Sequence, residues 1–300
     1  MQKMSLIRRA VAMTALAFVV TPNPAHAWWE KGHRLVAGVA MSHLTPAARR
    51  NVKALLGTES LADVASWADE YRPLETQTGG WHYTDLPPAS DVYDRERDCP
   101  VQPGVKAGAR NDKWRDCATD RILFFEDRLR DPLLDPVDHA LALKYLVHFV
   151  GDIHQPMHAT GVEKGGNGIV VTAFGSPMCG TGKCNLHAVW DGYLIDYTEL
   201  TEAQYLSRLE HEIKAKKLVG GTTDPATWTN ESKTASDAAM LPNGSDIDDA
   251  YYQRSIPVID QRLEMAGLRL AAVLNEVFTT APARFHPKQT TAEKQPAKPS

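Results

Sequence analysis

Residues 148–158 read "HFVGDIHQPMH" and bring three histidines and an aspartate together around Pro156. They end the longer segment "VDHALALKYLVHFVGDIHQ" (137–155), in which apolar residues recur at spacings of three and four, as in a buried helix. His148 and Asp152 lie four residues apart, so a helix would project them from one face, about one turn from each other. Such a pair can share a cation. Taken alone, it favours an ordinary His–Asp hydrogen bond over a metal site.

A second pair with the same spacing occurs in "NLHAVWDG", where His187 precedes Asp191 by four residues and Asn185 is placed to cap a helix. His158 follows the first pair, and Pro156 holds it just past a helix end. Two such pairs and a further histidine favour a metal site over isolated hydrogen bonds. Imidazole and carboxylate are ligands that zinc takes in proteins.

Helical patterns dominate the remaining sequence. In "LTPAARRNVKALLG" (44–57), Thr45 is placed as the N-cap, Pro46 as the first helical residue and Gly57 as the stop. Residues 118–130 and 201–216 show the same apolar spacing. The long segment 248–278 does so too, and we expect it to kink or to start again at Pro257.

Strand-like alternation is confined to residues 165–186, "GGNGIVVTAFGSPMCGTGKCNL", which predict one hairpin with a glycine-rich tip. No fixed repeat and no Pro/Gly/Ser-rich linker interrupts the chain before its end. The expected fold is therefore mainly α, a single compact helical domain over residues 28–280 with one short β-hairpin.

The two ends of the chain differ from this domain. Residues 1–27 contain basic residues, an apolar run of eleven residues and then "AHA", which together predict an export signal peptide cleaved after Ala27. The apolar run is too short to span a membrane, and no later stretch qualifies as an anchor. Residues 281–300 have the composition of a disordered tail. The protein is expected to be periplasmic or secreted.

Charge restricts how the protein can bind a polyanion. Without the signal peptide, 30 Lys and Arg face 37 Asp and Glu, a formal charge of −7. This argues against a basic groove as the main contact with nucleic acid. It does not exclude polyanionic substrates, because bound divalent metals can be the largest local charges in a site.

Four cysteines are present, and in an exported chain they allow three disulfide pairings. Nearness in sequence favours Cys99 with Cys117 and Cys179 with Cys184. Metal binding by these cysteines is the alternative, but neither pair has the C-x-x-C spacing of a zinc site.

Further candidates lie upstream. "SWADEYR" contains Asp69 and Arg72, and "GWHYTD" contains His82, Tyr83 and Asp85. Each also has an ordinary interpretation: Asp69 as an acid on a helix surface, His82 as a packed neighbour of aromatic residues, and Tyr83 as a half-buried core residue.

Cleavage after Ala27 would expose the α-amine of Trp28, whose ordinary pKa of about 8 lets it lose its proton and chelate a metal together with its own carbonyl oxygen. His33, five residues later, could complete that chelate. The alternative is that Trp28 is simply the start of the mature chain.

These motifs together resemble one family. An amino-terminal Trp with His five residues later, followed in order by "WAD..R", "WHY.D", "HFVGDIHQPMH" and "H..WD", is similar to the S1/P1 family of trinuclear-zinc nucleases. The resemblance covers essentially the whole mature chain, including "PVIDQRLEMAGLRLAAVLN", which is like the last helix of that family. It implies a phospholipase C-like helical fold.

The resemblance implies that nine residues hold three Zn²⁺ ions. One ion would be bound by Asp69, His82, His148 and Asp152; a second by the amine and carbonyl of Trp28, by His33 and by Asp152; and a third by His158, His187 and Asp191. Three zinc ions and three carboxylates leave this centre cationic by about three charges, so phosphate can bind without a basic groove.

The implied activity is hydrolysis of single-stranded DNA and RNA to 5′-phosphate products, with 3′-nucleotidase activity, by a hydroxide that bridges two metals. Asp69, Asp152 and Arg72 would belong to the catalytic centre, with Arg72 stabilising charge on the phosphate oxygens. Tyr83 would stack on an unpaired base and Asp85 would accept a hydrogen bond from its edge. Nucleotides are further expected ligands, and the enzyme is expected to be a monomer.

Two other functions remain open at this point. A zinc-dependent phospholipase C shares the fold and the amino-terminal Trp ligand but acts on a lipid headgroup, and the residues around Tyr83 and Asp85 argue against it. A non-catalytic periplasmic zinc carrier is less consistent with this sequence, because carriers often contain low-complexity histidine tracts. Here the histidines are dispersed through the chain.

Overall fold

A computed structural model describes residues 28–90, 92–102, 104 and 113–280. The signal peptide and the tail that the sequence predicts, 1–27 and 281–300, lie outside the described residues. The described part is mainly α-helical, as expected from the sequence. The helices are α1 (Glu30–His43), α2 (Pro46–Leu56), α3 (Trp67–Tyr71), α4 (Arg95–Asp98), α5 (Ala118–Arg130), α6 (Pro136–His154), α7 (Leu186–Ala188), α8 (Leu194–Asp196), α9 (Glu202–Lys216), α10 (Pro225–Ala239) and α11 (Asp249–Thr280).

Shorter elements complete the fold. Two 3₁₀ helices span Thr76–His82 and Pro156–Ala159, and a π-helical turn spans Val189–Tyr193. Strands β2 (Met178–Cys179) and β3 (Gly182–Lys183) form the antiparallel hairpin that the sequence predicts. Strands β1 (Thr172–Ala173) and β4 (Asp246–Ile247) pair in parallel, a contact that sequence alone did not predict.

Helix α6 lies at the centre of the molecule. It packs against α1, α2, α3, α5, α10 and α11, and all residues from Tyr145 to its end are buried. The apolar residues among them belong to the hydrophobic core. The polar residues His148, Asp152 and His154 are fully buried on the same helix. Buried ionisable groups are costly unless they are paired or bind a metal, so α6 places the chemically important part of the chain inside the core.

Local signals in the sequence set the ends of α2. The Thr45 side chain accepts a hydrogen bond from the backbone N–H of Ala48, Pro46 is the first helical residue, and Gly57 ends the helix with φ of 64°. A positive φ suits glycine because it has no Cβ. Helix α5 has the predicted boundaries, and α6 and α9 agree with the prediction to within one residue.

Two helices differ from the sequence prediction. Helix α11 runs without interruption through Pro257, so the expected restart is wrong. Pro257 removes the hydrogen bond that would reach the carbonyl of Gln253. Both residues are exposed, so water can satisfy that carbonyl, while Ile256 and Ile259 pack in the core on either side.

Helix α10 was not predicted, because four of its seven buried residues are polar: Thr229, Ser232, Lys233 and Ser236. Thr229 and Ser232 are fully buried. The Thr229 hydroxyl shares a 2.8 Å hydrogen bond with the Thr119 hydroxyl, and the Ser232 hydroxyl donates to the carbonyl oxygen of Ile153 at 2.5 Å. Satisfied hydroxyl groups can replace apolar residues in a core, and hydrophobic periodicity does not detect such a helix.

Both expected disulfides are present, Cys99–Cys117 and Cys179–Cys184. The alternative of metal binding by these cysteines is therefore wrong, since all four sulfurs are in disulfides. The second disulfide closes the β2–β3 hairpin beside the start of α7. None of the helices among the described residues is both long and apolar enough to cross a membrane.

Helices α1 and α11 approach each other closely at Gly267, and this contact gives a test of the packing. A Cβ at Gly267 would lie 2.4 Å from Val39 Cβ and 3.0 Å from the carbonyl oxygen of Val36. We expect Gly267→Ala to lower the free energy of unfolding by about 1–3 kcal/mol because the helices must separate. Chemical denaturation with the disulfides intact measures this.

Gly79→Ala is the matched control, because a Cβ there meets nothing within 4 Å. Its free energy of unfolding should change by less than about 0.5 kcal/mol. Equal stability of the two variants would contradict the close contact between α1 and α11.

Candidate metal centre

Side chains from seven elements meet beside the second half of α6. All are imidazoles or carboxylates, and all are buried: His33 on α1, Asp69 on α3, His82 on the first 3₁₀ helix, His148 and Asp152 on α6, His158 on the second 3₁₀ helix, His187 on α7 and Asp191 on the π-helical turn. They form two clusters. Within each, groups of three residues bring their ligand atoms to within 4.8 Å of one another.

The first cluster is centred on the carboxylate of Asp152. His33 Nε2 lies 3.3 Å from Asp152 Oδ1, while His82 Nδ1 and His148 Nε2 lie 3.1 and 3.2 Å from Oδ2. Asp69 approaches the same two nitrogen atoms, with its oxygens 3.5 Å from His82 Nδ1 and 3.7 Å from His148 Nε2. The five groups thus present nitrogen and oxygen atoms to a common interior.

The second cluster contains His158, His187 and Asp191. The Nε2 atoms of the two imidazoles are 3.2 Å apart, and Asp191 Oδ2 lies 3.2 Å from His187 Nε2. Asp191 Oδ1 lies 3.8 Å from His158 Nε2. His187 and Asp191 lie close together, as their H-x-x-x-D spacing predicts, although the backbone changes from an α-turn to a π-turn between them.

Backbone carbonyls set the tautomers of three histidines. The Nδ1–H groups of His148, His158 and His187 donate to the carbonyl oxygens of Ala65 at 2.8 Å, His82 at 2.7 Å and Gly165 at 2.6 Å. A carbonyl oxygen only accepts, so Nδ1 carries the proton, and in the neutral ring Nε2 carries a lone pair. Each Nε2 points into its cluster. Metal-binding histidines are oriented in the same way.

The pKa values of the buried histidines and of Asp152 show how these side chains influence one another's charge. Burial opposes protonation of His148, but the carboxylates of Asp152 and Asp69 outweigh it and raise the pKa of His148 to about 9. Burial and the His187 imidazole lower the pKa of His158 to about 4. Burial also opposes ionisation of Asp152, yet its imidazole neighbours hold its pKa well below the ordinary value. Asp152 is therefore an anion that needs positive charge around it.

Trp28 and Trp29, the first residues that the structure describes, lie between the two clusters. Trp28 is fully buried, and its Nε1–H donates to the carbonyl oxygen of Gly151 at 2.9 Å. The backbone N–H of Trp29 donates to the carbonyl oxygen of Asp191 at 2.7 Å. Trp28 and Trp29 thus contact the residue before Asp152 in the first cluster and Asp191 itself in the second.

Two residues with a structural role at the site were missed by the sequence analysis. A Cβ at Gly151 would lie 2.8 Å from His33 Nδ1, so only glycine lets α1 bring His33 this close to α6. Gln155 is fully buried; its side-chain amide donates to Asp191 Oδ1 and its oxygen accepts from the N–H of Met157 at 2.6 Å. Both lie inside residues 148–158, but nothing in their spacing revealed these contacts.

Two cavities reach the clusters from the surface. One, of ≈ 490 Å³, is lined by His82, His158 and His187 together with Arg72, Tyr83 and Asp85. The other, of ≈ 460 Å³, is lined by Asp69, Asp191, Trp29 and the tip of the β2–β3 hairpin. Asn167 borders both. We call the first the Tyr83 cavity and the second the hairpin cavity.

The remaining sequence candidates all line the Tyr83 cavity. Tyr83 is 42% exposed, so part of its ring is open to a ligand. Burial raises the pKa of Asp85 to about 6, against a smaller opposing effect of His187. Arg72 Nη1 lies 3.9 Å from Asp69 Oδ1, which places the guanidinium next to the first cluster.

The donor sets fit zinc. Each cluster offers imidazole nitrogens and carboxylate oxygens, the ligand types of catalytic zinc sites. The Nε2 atoms of His158 and His187 face each other at 3.2 Å beside a carboxylate, an arrangement that a shared cation would stabilise. The hydrogen bonds at Nδ1 leave Nε2 as the ring atom that faces the cluster in His148, His158 and His187.

Comparisons with known proteins agree with this geometry. Residues 28–279 match the family model described as S1/P1 Nuclease. The chain is 31% identical to Nuclease P1 from Penicillium citrinum over 284 residues, covering 83% of this chain and 97% of that protein. It is 30% identical to Endonuclease 2 from Arabidopsis thaliana, covering 89% and 95%, and 29% identical to Nuclease S1 from Aspergillus oryzae, covering 83% and 91%. The chain therefore belongs to the S1/P1 nuclease family.

Proposed function

We propose that this protein is an exported zinc-dependent nuclease that hydrolyses phosphodiester bonds of single-stranded DNA and RNA and leaves 5′-phosphates, with additional activity on 3′-nucleotides. One observation carries the proposal: two buried clusters of metal donors border a cavity that also presents an aromatic ring, a carboxyl group and a guanidinium. This combination matches a ligand with a flat base and a phosphate.

Nine residues would hold three zinc ions. The first cluster would bind two ions, one by Asp69, His82, His148 and Asp152 and the other by Asp152, His33 and the amino terminus at Trp28; the second cluster would bind one by His158, His187 and Asp191. When bound, zinc supplies Lewis acidity that lowers the pKa of water towards neutrality and offsets phosphate charge. The carbonyl contacts at Nδ1 of His148, His158 and His187 would leave Nε2 of each ring free to bind an ion.

Residues of the Tyr83 cavity would orient the substrate. Tyr83 follows His82 directly, so a base stacked on its ring lies beside the metal donors. The partly buried carboxyl of Asp85 can hydrogen-bond the edge of that base. A duplex covers the faces and edges of its bases, which explains a preference for single strands.

Arg72 would stabilise negative charge on the phosphate. Its guanidinium lines the cavity and lies near Asp69, at the border between the base-binding residues and the first cluster. Since arginine stays charged at all relevant pH values, it provides a fixed positive charge where charge develops during hydrolysis.

Export supports the same proposal. Two disulfides are typical of proteins that fold in an oxidising compartment, and cleavage after Ala27 would generate the terminal amine at Trp28. We therefore propose a periplasmic or secreted, monomeric enzyme.

A digestion assay tests the activity. The mature protein should release acid-soluble nucleotides with 5′-phosphates from single-stranded DNA and RNA much faster than from duplex DNA, and a chelator should stop the reaction. Phosphatidylcholine vesicles serve as the control substrate. Hydrolysis of the lipid without nucleotide release would instead indicate a phospholipase C, and stable zinc binding without any phosphodiesterase activity would indicate a carrier.

Metal counting tests the ligand scheme. Asp152→Ala should lose two zinc ions per chain because Asp152 belongs to both ions of the first cluster, whereas Asp191→Ala should lose one. Elemental analysis of the dialysed, folded proteins gives these numbers, with circular dichroism as the check on folding. Full zinc content in Asp152→Ala would refute the scheme.

The raised pKa of Asp85 predicts a pH effect on substrate binding. Above pH about 6 the carboxylate is ionised and accepts a hydrogen bond from a base; below it, the protonated group loses this role. KM for a guanine-containing single strand should therefore rise as the pH falls through 6.

Asp85→Asn removes the titrating group and keeps the size of the side chain. KM of this variant should no longer change around pH 6, while any change caused by the metal ligands persists in both proteins. The same KM profile in the variant and the parent would contradict the role of Asp85.

A further inference from the structure

Lys164 lines the Tyr83 cavity, on the side of the second cluster. Its side chain is exposed, and among the described residues no carboxylate forms an ion pair with it. A surface lysine next to a metal-binding cavity is by itself an ordinary feature. The backbone that carries Lys164 distinguishes it.

Residues 163–166 form a left-handed turn. Glu163 and Lys164 have φ of 46° and 59°, and Gly165 and Gly166 continue with 64° and 79°. Two successive residues with a Cβ are unfavourable in this region. Backbone conformations of this kind persist only where the surrounding structure holds them, and they cluster at functional sites.

Contacts with the second cluster hold the turn. The carbonyl oxygen of Gly165 accepts from His187 Nδ1 at 2.6 Å, and a Cβ at Gly165 would lie 2.6 Å from the carbonyl oxygen of Met157. The N–H of Gly168 donates to the carbonyl oxygen of Glu163 at 2.8 Å. The turn therefore holds Lys164 directly before Gly165, the residue whose carbonyl oxygen accepts the hydrogen bond from His187.

The turn also separates opposite charges. Lys164 lines the Tyr83 cavity, whereas its neighbour Glu163 lines a different cavity and has its carboxylate next to Gly168. The lysine charge in the Tyr83 cavity is thus not cancelled by the adjacent glutamate. Positive charge from the chain in this cavity comes from Arg72 and Lys164.

The two cations lie at different depths. The Arg72 side chain is 18% exposed and approaches Asp69 beside the first cluster, while Lys164 is exposed at the rim. The phosphate that is cleaved must lie at the metal donors, where Arg72 is. A cation at the rim suits a phosphate farther along the strand.

Building on the proposed nuclease function, we propose that Lys164 binds a phosphate flanking the scissile one and thereby favours polynucleotides over substrates with a single phosphate. Lys164 is a specificity-determining residue that touches substrate and takes no part in bond cleavage. Its contact is electrostatic and independent of base sequence.

Kinetics with two substrates test this role. The dinucleoside monophosphate TpT contains only the scissile phosphate, whereas a longer oligothymidylate also contains flanking ones. Lys164→Gln should raise KM for the oligothymidylate about five- to tenfold, as expected for loss of one charged phosphate contact. It should leave kcat/KM for TpT unchanged. A plot of log(kcat/KM) for the oligothymidylate against log salt concentration has a negative slope. In Lys164→Gln this slope should be less steep by about 0.7, the value for one phosphate contact with a single strand.

Three controls isolate the charge. Lys164→Arg should restore both KM and the salt slope, and Lys53→Gln, on an exposed part of α2, should behave like the parent. Zinc content of all variants should stay equal, which shows that the turn still holds His187.

Equal losses on TpT and the oligothymidylate would place Lys164 at the scissile phosphate and overturn the proposal, as would no loss on either. In both cases the parent enzyme still cleaves, so the proposed nuclease function stands. A parent protein that cleaves neither substrate refutes the proposed function and, with it, this role of Lys164.

Discussion

The buried carboxylate of Asp152 is the constraint on which the rest of the structure depends. It lies on the central helix α6 with three imidazoles from three elements within 3.3 Å of its oxygens. A carboxylate in this position is costly unless positive charge surrounds it. The fold meets that requirement by bringing α1, the 3₁₀ helix at Thr76–His82 and α6 itself to one point, and the same arrangement creates a set of metal donors.

Helix α6 contributes side chains both to the hydrophobic core and to the metal donors. A network of polar side chains from α10 and α11 also contacts this helix. His154, two residues after Asp152, donates through Nδ1–H to the carbonyl oxygen of Val150 and accepts through Nε2 from Arg269, which in turn pairs with Glu231. Burial and the nearby arginines keep the pKa of His154 well below its ordinary value. This histidine is neutral and joins α6 to α10 and α11. His148 and His154 thus have different roles on one helix, because His148 faces the carboxylates of Asp69 and Asp152 whereas His154 faces Arg269.

The net charge of the chain does not describe the charge around the candidate site. The whole chain carries a formal charge of −4, yet the cavity beside the metal donors contains Arg72 and Lys164, and the donor clusters are suited to divalent cations. Attraction of a polyanion depends on charge within about a Debye length of the site rather than on the total. A chain with a negative total charge can therefore still bind a polyanion through a few fixed cationic contacts at one site.

Hydrophobic periodicity, capping residues and cysteine proximity were local signals, and they determined the main helices, the ends of α2 and both disulfides. Two H-x-x-x-D pairs likewise indicated metal donors, because four-residue spacing places side chains on one helical face whatever the rest of the chain does. These local signals did not predict helix α10 or the continuation of α11 through Pro257. Both depend on how polar groups are hydrogen-bonded in the folded structure. Local spacing did not show which histidine belongs to which cluster; the family resemblance implied that assignment, and the tertiary structure brings those residues together. Why Gly151 must lack a side chain, that Gln155 holds Asp191, and that Lys164 and Glu163 line different cavities were decided only by the tertiary structure. Those relations join atoms far apart in sequence, and no local rule encodes the distance between them.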